Sequence, residues 1–256
     1  MSANLVVTNL TQKFGGLTAL NNVNMEVNFG EIVGVIGPNG AGKTTLFNVI
    51  TGVYHATSGT VVLNGKQING LKRYQITRLG FARTFQNIRL FKQMTVLDNV
   101  KMGMCCRSKC NIFDNILNTP RRRREDKAQE EKALGILERL NLLDYKYDSP
   151  ASLPYGEQRR LEIARAMATD ATILLLDEPA AGMNDQETAE LLKTVSGLRD
   201  SGYTIILIEH DMKFVMNVCD RIYVLNHGEL ISTGTPDEVK NDPEVINAYL
   251  GKEEEK

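Results

Sequence analysis

The sequence lacks any apolar run approaching the ~18 residues that a membrane-spanning helix needs. Its apolar runs, such as Ile173 to Leu176 and Thr204 to Ile208, have the length of strands. The N-terminus, Met1 to Asn4, lacks the basic and apolar regions of a secretion signal, so we expect the chain to stay in the cytosol. Any role at a membrane must then come through a partner.

The sequence also lacks an excess of charge of either sign. The chain has 30 Lys and Arg residues against 31 Asp and Glu residues, and the formal net charge of -1 provides no overall attraction to nucleic acid. Its 256 residues, 42% of them hydrophobic, are enough to build a core in one large domain or two small ones.

Cysteine is scarce, and its pattern does not fit a metal site. Three of the four cysteines fall between Cys105 and Cys110, with no His nearby and no second pair to complete a tetrahedral set. We interpret these thiols, and that of Cys219, as reduced groups without a role in metal binding.

A glycine-rich run from Gly37 to Thr45 fits the phosphate-loop pattern at every fixed position. An apolar run typical of a buried strand, Ile32 to Ile36, precedes it, and a helical pattern closed by Gly52 follows. Such a loop wraps its backbone around phosphate oxygens, and N–H groups at the helix start point at the anion. The alternative is an ordinary glycine-rich turn, but the following Lys-Thr favours nucleotide binding. The expected nucleotide ligands are Gly37, Pro38, Asn39, Gly40, Ala41, Gly42, Lys43, Thr44 and Thr45, with Thr44 offering a hydroxyl to Mg2+.

The first part of the chain has the pattern of an antiparallel sheet. Apolar residues alternate over Leu5 to Phe14 and Val23 to Val27, and Asn64-Gly65 predicts a tight hairpin turn. Phe14 lies upstream of the phosphate loop, where its ring either stacks on a nucleotide base or packs in the core.

A helical insertion is predicted in the middle of the chain. From about Cys105 to Pro150 the charge rises and strand signals vanish, while Thr119-Pro120 predicts a helix start and a helix to about Leu140. The basic run Arg121 to Arg124 is either a nucleic-acid or headgroup patch or a solvated helix face. The acidic residues that follow at once favour the solvated face.

The second half alternates strands with helices, which predicts parallel pairing through right-handed crossovers. A closing hairpin turns at His227-Gly228, and a short helix begins at Thr235. The other predicted elements are strands at Thr172 to Leu176 and Tyr203 to Ile208 and a helix at Asp185 to Arg199.

Polar side chains follow the strand ends, where ligands bind in open α/β sheets. Asp177 is placed to hold Mg2+, and Glu178 to orient or deprotonate an attacking water. His210 is placed to contact a terminal phosphate, and Gln86 to reach a metal or water. Each alone has a structural alternative: a helix cap for the acidic pair, a solvated loop for Gln86 and no special role for His210. The phosphate loop in the same chain favours the catalytic interpretation.

The segment from Leu153 to Ala166 resembles the signature of ATP-binding-cassette ATPases, which usually reads Leu-Ser-Gly-Gly-Gln before a helix. With the phosphate loop and the polar residues above in the correct order, the resemblance covers essentially the whole chain. It implies that Phe14 is the base-stacking aromatic and that Gln86 belongs to the loop between two lobes. It also implies that Glu178 is the catalytic base and His210 the switch histidine. It also implies nucleotide contacts by the signature residues Tyr155, Gly156 and Glu157.

The resemblance implies an α/β P-loop NTPase fold in a single cassette domain. Its RecA-like core would span about 1–86 and 170–256, with an N-terminal antiparallel β subdomain and a helical subdomain inserted at about 87–169. The implied activity is MgATP hydrolysis that drives membrane transport.

Further details are similar to the branched-chain amino acid transport ATPases within that family, which implies import of those amino acids. Lipid or urea are alternative cargoes. The resembling segments are Phe14 to Leu17, Arg83 to Gln86, Leu90-Phe91, Met94 to Val96, the insertion around Asn111 to Arg124, Asp177 to Asn184, and Ala248 to Gly251.

The signature departs from the family pattern. Pro154 replaces the Ser that would reach a γ-phosphate, Tyr155 replaces the first Gly, Glu157 replaces Gln, and Asn184 stands where Asp is usual. A missing hydroxyl removes a charge-assisted contact worth ~1.5–3 kcal/mol. Because two cassettes of this family sandwich ATP head to tail, we expect a heterodimer whose partner has a more standard signature.

The expected partners are that second cassette, transmembrane permease subunits and, indirectly, a substrate-binding protein, with no nucleic acid. The chain is then expected on the cytoplasmic face of the membrane. Residues Gln86 to Met94 are expected to receive a short permease helix, unless Ile88, Leu90 and Phe91 pack within the helical lobe instead. Other hypotheses are a soluble assembly ATPase and a nucleotide-binding regulator without turnover, although an intact Glu178 argues against the regulator.

Overall fold

The computed structural model describes residues 4–84, 86–107, 114 and 119–250. Phe85, Cys110, half of the segment from Asn111 to Arg124 and Gly251 lie outside these ranges. The strands are β1 Leu5–Phe14, β2 Leu17–Val27, β3 Ile32–Ile36, β4 Ser58–Leu63, β5 Lys66–Gln67, β6 Phe81–Arg83, β7 Ile173–Asp177, β8 Thr204–Ile208, β9 Arg221–Asn226 and β10 Glu229–Gly234. The helices are α1 Lys43–Ile50, α2 Arg73–Arg78, α3 Val96–Met104, α4 Pro120–Arg139, α5 Tyr155–Met167, α6 Asp185–Asp200, α7 Met212–Val218, α8 Pro236–Lys240 and α9 Pro243–Leu250.

The first sheet is antiparallel and has the strand order β2-β1-β4-β5. Its predicted alternation is confirmed, because Val23, Met25 and Val27 are buried on one face of β2. The predicted hairpin at Asn64-Gly65 is also present, with φ values of 49° and 75° that suit a type I′ turn between β4 and β5.

The second sheet has the order β10-β9-β3-β8-β7-β6 and is parallel except for the closing hairpin of β9 and β10. Every residue of β3, β7 and β8 is buried, as expected for strands covered on both faces. Consequently the loops after β3, β7 and β8 all leave the same edge of the sheet. This topology brings the phosphate loop, Asp177-Glu178 and His210 together.

Helix α4 lies within the predicted helical insertion at about Cys105 to Pro150, and helices α3 and α5 flank it within about 87–169. The Thr95 hydroxyl accepts from the Asp98 N–H and caps α3, and the Thr119 hydroxyl caps α4 through the Arg122 N–H. Buried side chains such as Val100, Leu137 and Leu161 continue into the core beneath the parallel sheet. Most of the run at 121–124 is exposed on α4, as the solvated-face interpretation expects.

Among the described residues, no helix combines the length and apolar character needed to cross a membrane. Cys219 is buried behind β3, and burial raises the pKa of its thiol. Cys105 is exposed and unbonded to another cysteine.

Candidate functional site

The phosphate loop connects the buried strand β3 to α1. A Cβ atom at Gly37 would lie 2.0 Å from the carbonyl oxygen of Leu225, so only glycine fits this close approach of two backbones. The ammonium of Lys43 is buried within the loop and donates to the carbonyls of Gly37 and Pro38 at 2.7 and 3.0 Å. The turn after β9 supports the loop, since the Gly228 N–H donates to the Ala41 carbonyl at 2.9 Å.

The N-terminus of α1 has the properties of an anion site. Gly42 is the N-cap, with φ 104°, and no side chain caps the helix. The first turn contains no acidic residue, so neither a carboxylate nor a cap competes for the helix N–H groups. These features fit the phosphates of a nucleotide.

A cleft of about 440 Å³ lies over this helix start. Phe14 stands at its rim, 42% exposed, with its ring edge-on to Tyr54 at a centroid distance of 5.2 Å. That exposure excludes the alternative in which Phe14 is a core residue. The remaining lining consists of Leu17, Thr18, Ala19, Asn39, Gly40, Ala41, Gly42, Lys43, Thr44, Thr45, Glu178, His210 and His227.

Three side chains predicted at the strand ends meet at Glu178. The Gln86 amide donates to Glu178 Oε2 at 2.8 Å, and His210 Nε2 lies 2.9 Å from Glu178 Oε1. Both carboxylate oxygens are therefore held, while Glu178 and His210 face the same cleft as Lys43.

Asp177, the last residue of β7, is buried and paired with an arginine that the sequence had not indicated as a site residue. Arg83 Nη2 lies 2.6 Å from Asp177 Oδ2, and Arg83 Nη1 donates to Asn48 on α1 at 2.8 Å. Sequence reasoning included Arg83 only in a family-like segment. The signal available was its place at the end of a strand directly before the Gln86 loop.

Glu209 is a second site residue that the sequence analysis missed. Its carboxylate is buried and accepts from the backbone N–H groups of Ala180 at 2.7 Å and His210 at 3.0 Å. Burial raises the pKa of Glu209, whereas these backbone N–H groups oppose the shift. Glu209 thus ties the segment after Glu178 to the end of β8, and its position directly after a buried strand was the available signal.

The signature residues lie outside this cleft, at the start of α5. The Tyr155 hydroxyl donates to the Ala181 carbonyl at 3.1 Å, and the Gly156 N–H donates to Glu187 at 3.3 Å. Glu157 accepts from Arg160 at 2.6 Å. The structure therefore separates Tyr155, Gly156 and Glu157 from the residues around Lys43.

Buried Glu162 connects α5 to the loop that follows Gln86. Its carboxylate accepts from the Arg89 N–H and from Arg159 Nη1, both at 3.3 Å, and pairs with Arg165 at 3.7 Å. Desolvation lowers the pKa of the Arg165 guanidinium, and Glu162 opposes that shift. These contacts tie the loop after Gln86 to the helix that begins with the signature residues.

A groove of about 540 Å³ lies where β6 meets α3 and α5. Arg83, Arg89, Phe91 and Arg165 contribute to its lining. Phe91 is exposed and lies beneath the Arg165 guanidinium, whereas Leu90 packs against the core. Of the two alternatives for these apolar residues, Phe91 therefore fits the exposed surface and Leu90 fits packing against the core.

The C-terminal helix α9 reaches the phosphate loop. Burial raises the pKa of the Tyr249 hydroxyl, and the backbone N–H of Gly37, which lies beside it, opposes the shift. No sequence signal predicted this proximity, because it depends on how α9 returns to the sheet.

A family model for ABC transporters matches residues 20–181. The chain belongs to this ATP-binding cassette family. A second model, for branched-chain amino acid ATP-binding cassette transporters, matches residues 229–255 of the cassette. The predicted family and P-loop α/β fold are confirmed, and the cassette is a nucleotide-binding ATPase.

Known relatives match along nearly the whole cassette. It is 50% identical over 248 residues to the high-affinity branched-chain amino acid transport ATP-binding protein LivG of Escherichia coli strain K12, covering 96% of this chain and 97% of that protein. It is 47% identical, with the same coverage, to the corresponding protein BraF of Pseudomonas aeruginosa. The ADP conformation of MJ1267, an ATP-binding cassette of an ABC transporter, superposes with a TM-score of 0.86 at 33% identity, covering 98% of this chain and 100% of that one.

Proposed function

We propose that the cassette hydrolyses MgATP in its Lys43 cleft and thereby energises import of branched-chain amino acids through membrane permease subunits. The observation that carries the ATP site is the arrangement of Gln86, Glu178 and His210 beside the phosphate loop. The support for the cargo is the likeness to LivG and BraF and the C-terminal family match.

Each site residue has a role in this proposal. Lys43 and the N–H groups of the phosphate loop bind the phosphates, and the Phe14 ring stacks on the base. Glu178 accepts a proton from the attacking water, and Gln86 and His210 hold its carboxylate in place for that step. His210 also contacts the terminal phosphate.

The donor set fits Mg2+, which prefers hard oxygen ligands and is usually held by one or two carboxylates together with phosphates and water. Thr44 would supply a hydroxyl, Asp177 a carboxylate and Gln86 an amide oxygen. When bound, Mg2+ would neutralise charge on the phosphate oxygens.

The substitution Glu178→Gln tests the ATP site. It keeps a similar shape but removes the base, so we expect ATP affinity within about twofold and turnover reduced at least about 100-fold. Equilibrium binding and phosphate release measure the two quantities, and Glu138→Gln on the surface of α4 is the control. Full turnover in the Glu178→Gln protein would contradict the assignment.

The signature residues Tyr155, Gly156 and Glu157 serve the nucleotide of a second cassette in this proposal. Their position outside the Lys43 cleft supports such a role.

The core is assigned to about 1–86 and 170–256 and the helical subdomain to about 87–169. The assembled protein would lie peripherally on the cytoplasmic face of the membrane, with a substrate-binding protein acting through the permease.

The groove beside Phe91 is the proposed permease contact. Its exposed aromatic ring and the basic Arg89 and Arg165 suit a short amphipathic helix with an acidic side. We expect Arg89→Glu to preserve ATP hydrolysis by the free cassette and to abolish uptake in vesicles that contain the whole transporter. Lys127→Glu on exposed α4 is the matched charge reversal, and unchanged uptake with Arg89→Glu would remove the docking assignment.

Isolation of the complex from membranes tests the cargo. Reconstituted vesicles should take up leucine, isoleucine or valine when ATP is supplied on the cassette side. Uptake of lipid or urea instead, or a cassette that never co-purifies with membrane proteins, would contradict the proposed import function.

A further inference from the structure

Arg83 joins β6 to two segments that border the nucleotide cleft, α1 and the end of β7. It ends β6, and its Nη2 atom donates to Oδ2 of Asp177, at the end of β7, at 2.6 Å. Its Nη1 atom donates to the Asn48 side chain at 2.8 Å and to the Thr51 hydroxyl at 3.4 Å. Asn48 belongs to α1, the helix that begins at Lys43, and Thr51 caps the end of that helix.

The contacts of Arg83 with Asp177 and with α1 have the properties of a rigid connection. The side chains of Arg83 and Asp177 are only 13% and 10% exposed, so solvent screens the pair weakly. The planar guanidinium presents donors in a fixed fork, and here the fork places one donor on each side of the gap between α1 and β7. A lysine has a single point charge and cannot reproduce both contacts.

The two oxygens of Asp177 have different surroundings. Arg83 holds Oδ2, whereas within the described part of the chain no hydrogen bond is found to Oδ1. A carboxylate free to rotate would present either oxygen. The guanidinium therefore determines which oxygen remains available.

We propose that Arg83 is a positioning residue for ATP hydrolysis. Its guanidinium holds the Asp177 carboxylate by Oδ2 and ties it to α1, so that Oδ1 is the oxygen left to face Mg2+. This inference rests on the proposed function, in which Asp177 supports the metal. Arg83 also lines the groove beside Phe91, so a helix docked there would lie against the same side chain.

Charge and positioning predict opposite results when Arg83 is replaced. Loss of a cation next to a carboxylate by itself strengthens attraction of Asp177 for a metal ion. Loss of a residue that orients a metal ligand weakens metal binding, typically by about 10–100-fold. The sign of the change in metal affinity therefore separates the two effects.

The experiment titrates Mn2+ into the full-length, ATP-loaded chain and follows the free ion by electron paramagnetic resonance. All proteins carry Glu178→Gln, so that ATP is not consumed. We expect Arg83→Met to weaken Mn2+ binding at least about tenfold, and Arg83→Lys to weaken it by a smaller factor. ATP affinity measured in EDTA should stay within about twofold, because the phosphate loop is unchanged.

Arg221→Met is the matched control. Arg221 forms a similar ion pair with Glu31, with 2.8 Å between Nε and Oε1, and neither residue lines the nucleotide cleft. This substitution should leave Mn2+ affinity unchanged. Unchanged or tighter Mn2+ binding in both Arg83 variants overturns the inference, as does an equal loss of ATP affinity in EDTA. Should Arg83→Met fail to fold, Arg83→Lys, which keeps the charge, decides the question alone.

Asp177→Asn separates this inference from the function on which it rests. If Asp177→Asn weakens Mn2+ binding and the Arg83 variants do not, only the role of Arg83 is wrong. If Asp177→Asn leaves Mn2+ binding unchanged, the proposed metal role of Asp177 is itself wrong.

Discussion

The backbone of Glu178 has a φ of 47°, a left-handed conformation that costs a residue with a Cβ atom about 1–3 kcal/mol. Its N–H donates to the Ile208 carbonyl at 2.9 Å, and its side chain is held by Gln86 and His210. The surrounding contacts thus stabilise a conformation that turns the carboxylate from the end of β7 into the cleft.

Glu209 gives a prediction about pH. Burial raises its folded-state pKa above the ordinary value of 4.5, so the folded protein binds more protons than the unfolded chain between those two values. The contribution of Glu209 to the free energy of unfolding therefore falls as pH rises through that interval. In Glu209→Gln this decline should disappear, which urea unfolding at a series of pH values would measure.

The control for Glu209→Gln is Glu138→Gln, on the exposed surface of α4, which should keep the wild-type pH dependence. A wild-type protein that becomes more stable relative to Glu209→Gln as pH rises would contradict this prediction.

At the scale of elements, the N-terminus of α6 explains why Asn184 is acceptable where relatives in the family usually have Asp. The Asn184 side chain accepts from the Glu187 N–H at 2.9 Å, and Glu187 accepts in return from the Asn184 N–H at 3.0 Å. This is a capping box, and Asn and Asp serve almost equally as N-cap residues.

Substitution at Asn184 should follow capping energetics. Asn184→Ala removes the acceptor and should lower the free energy of unfolding by about 1 kcal/mol, whereas Asn184→Asp should change it by less than about 0.5 kcal/mol. Urea denaturation of both variants gives these differences. A large loss in Asn184→Asp would instead indicate a contact that depends on the uncharged amide.

The extent of successful prediction also differs by element. Alternation located β1 and β2, and the Thr119-Pro120 pair located the start of α4, because these signals are local. The sequence left open whether Leu90 is exposed or packed, because its contact with the core depends on how distant elements meet. The contacts of Arg83 and Glu209 were not predicted, because their partners are distant in sequence.

At the scale of the whole molecule, the altered signature predicts unequal ATP sites. Pro154 is the N-cap of α5 and provides no side-chain bond, and the Gly156 N–H is already paired with Glu187. A second copy of this chain would therefore offer the nucleotide a weaker signature than one with Ser at this position.

We accordingly expect the Glu178→Gln chain with ATP to remain monomeric alone and to dimerise when a second cassette with a standard signature is added. Restoring the hydroxyl with Pro154→Ser should strengthen self-association, by a contact worth ~1.5–3 kcal/mol. Sedimentation velocity measures both outcomes. A stable homodimer of the unchanged signature, fully active with its permease, would contradict the heterodimer.

The sequence by itself determined the phosphate loop, the alternation of strands and helices in the second half, and the family, because each depends on residues that are neighbours along the chain. Tertiary structure alone decided that Gln86 and His210 hold Glu178 and that Arg83 holds Asp177. The physical reason is the parallel sheet, which places the ends of distant strands at one edge. Hydrogen-bond partners at that edge are chosen by geometry across strands rather than by spacing in the sequence.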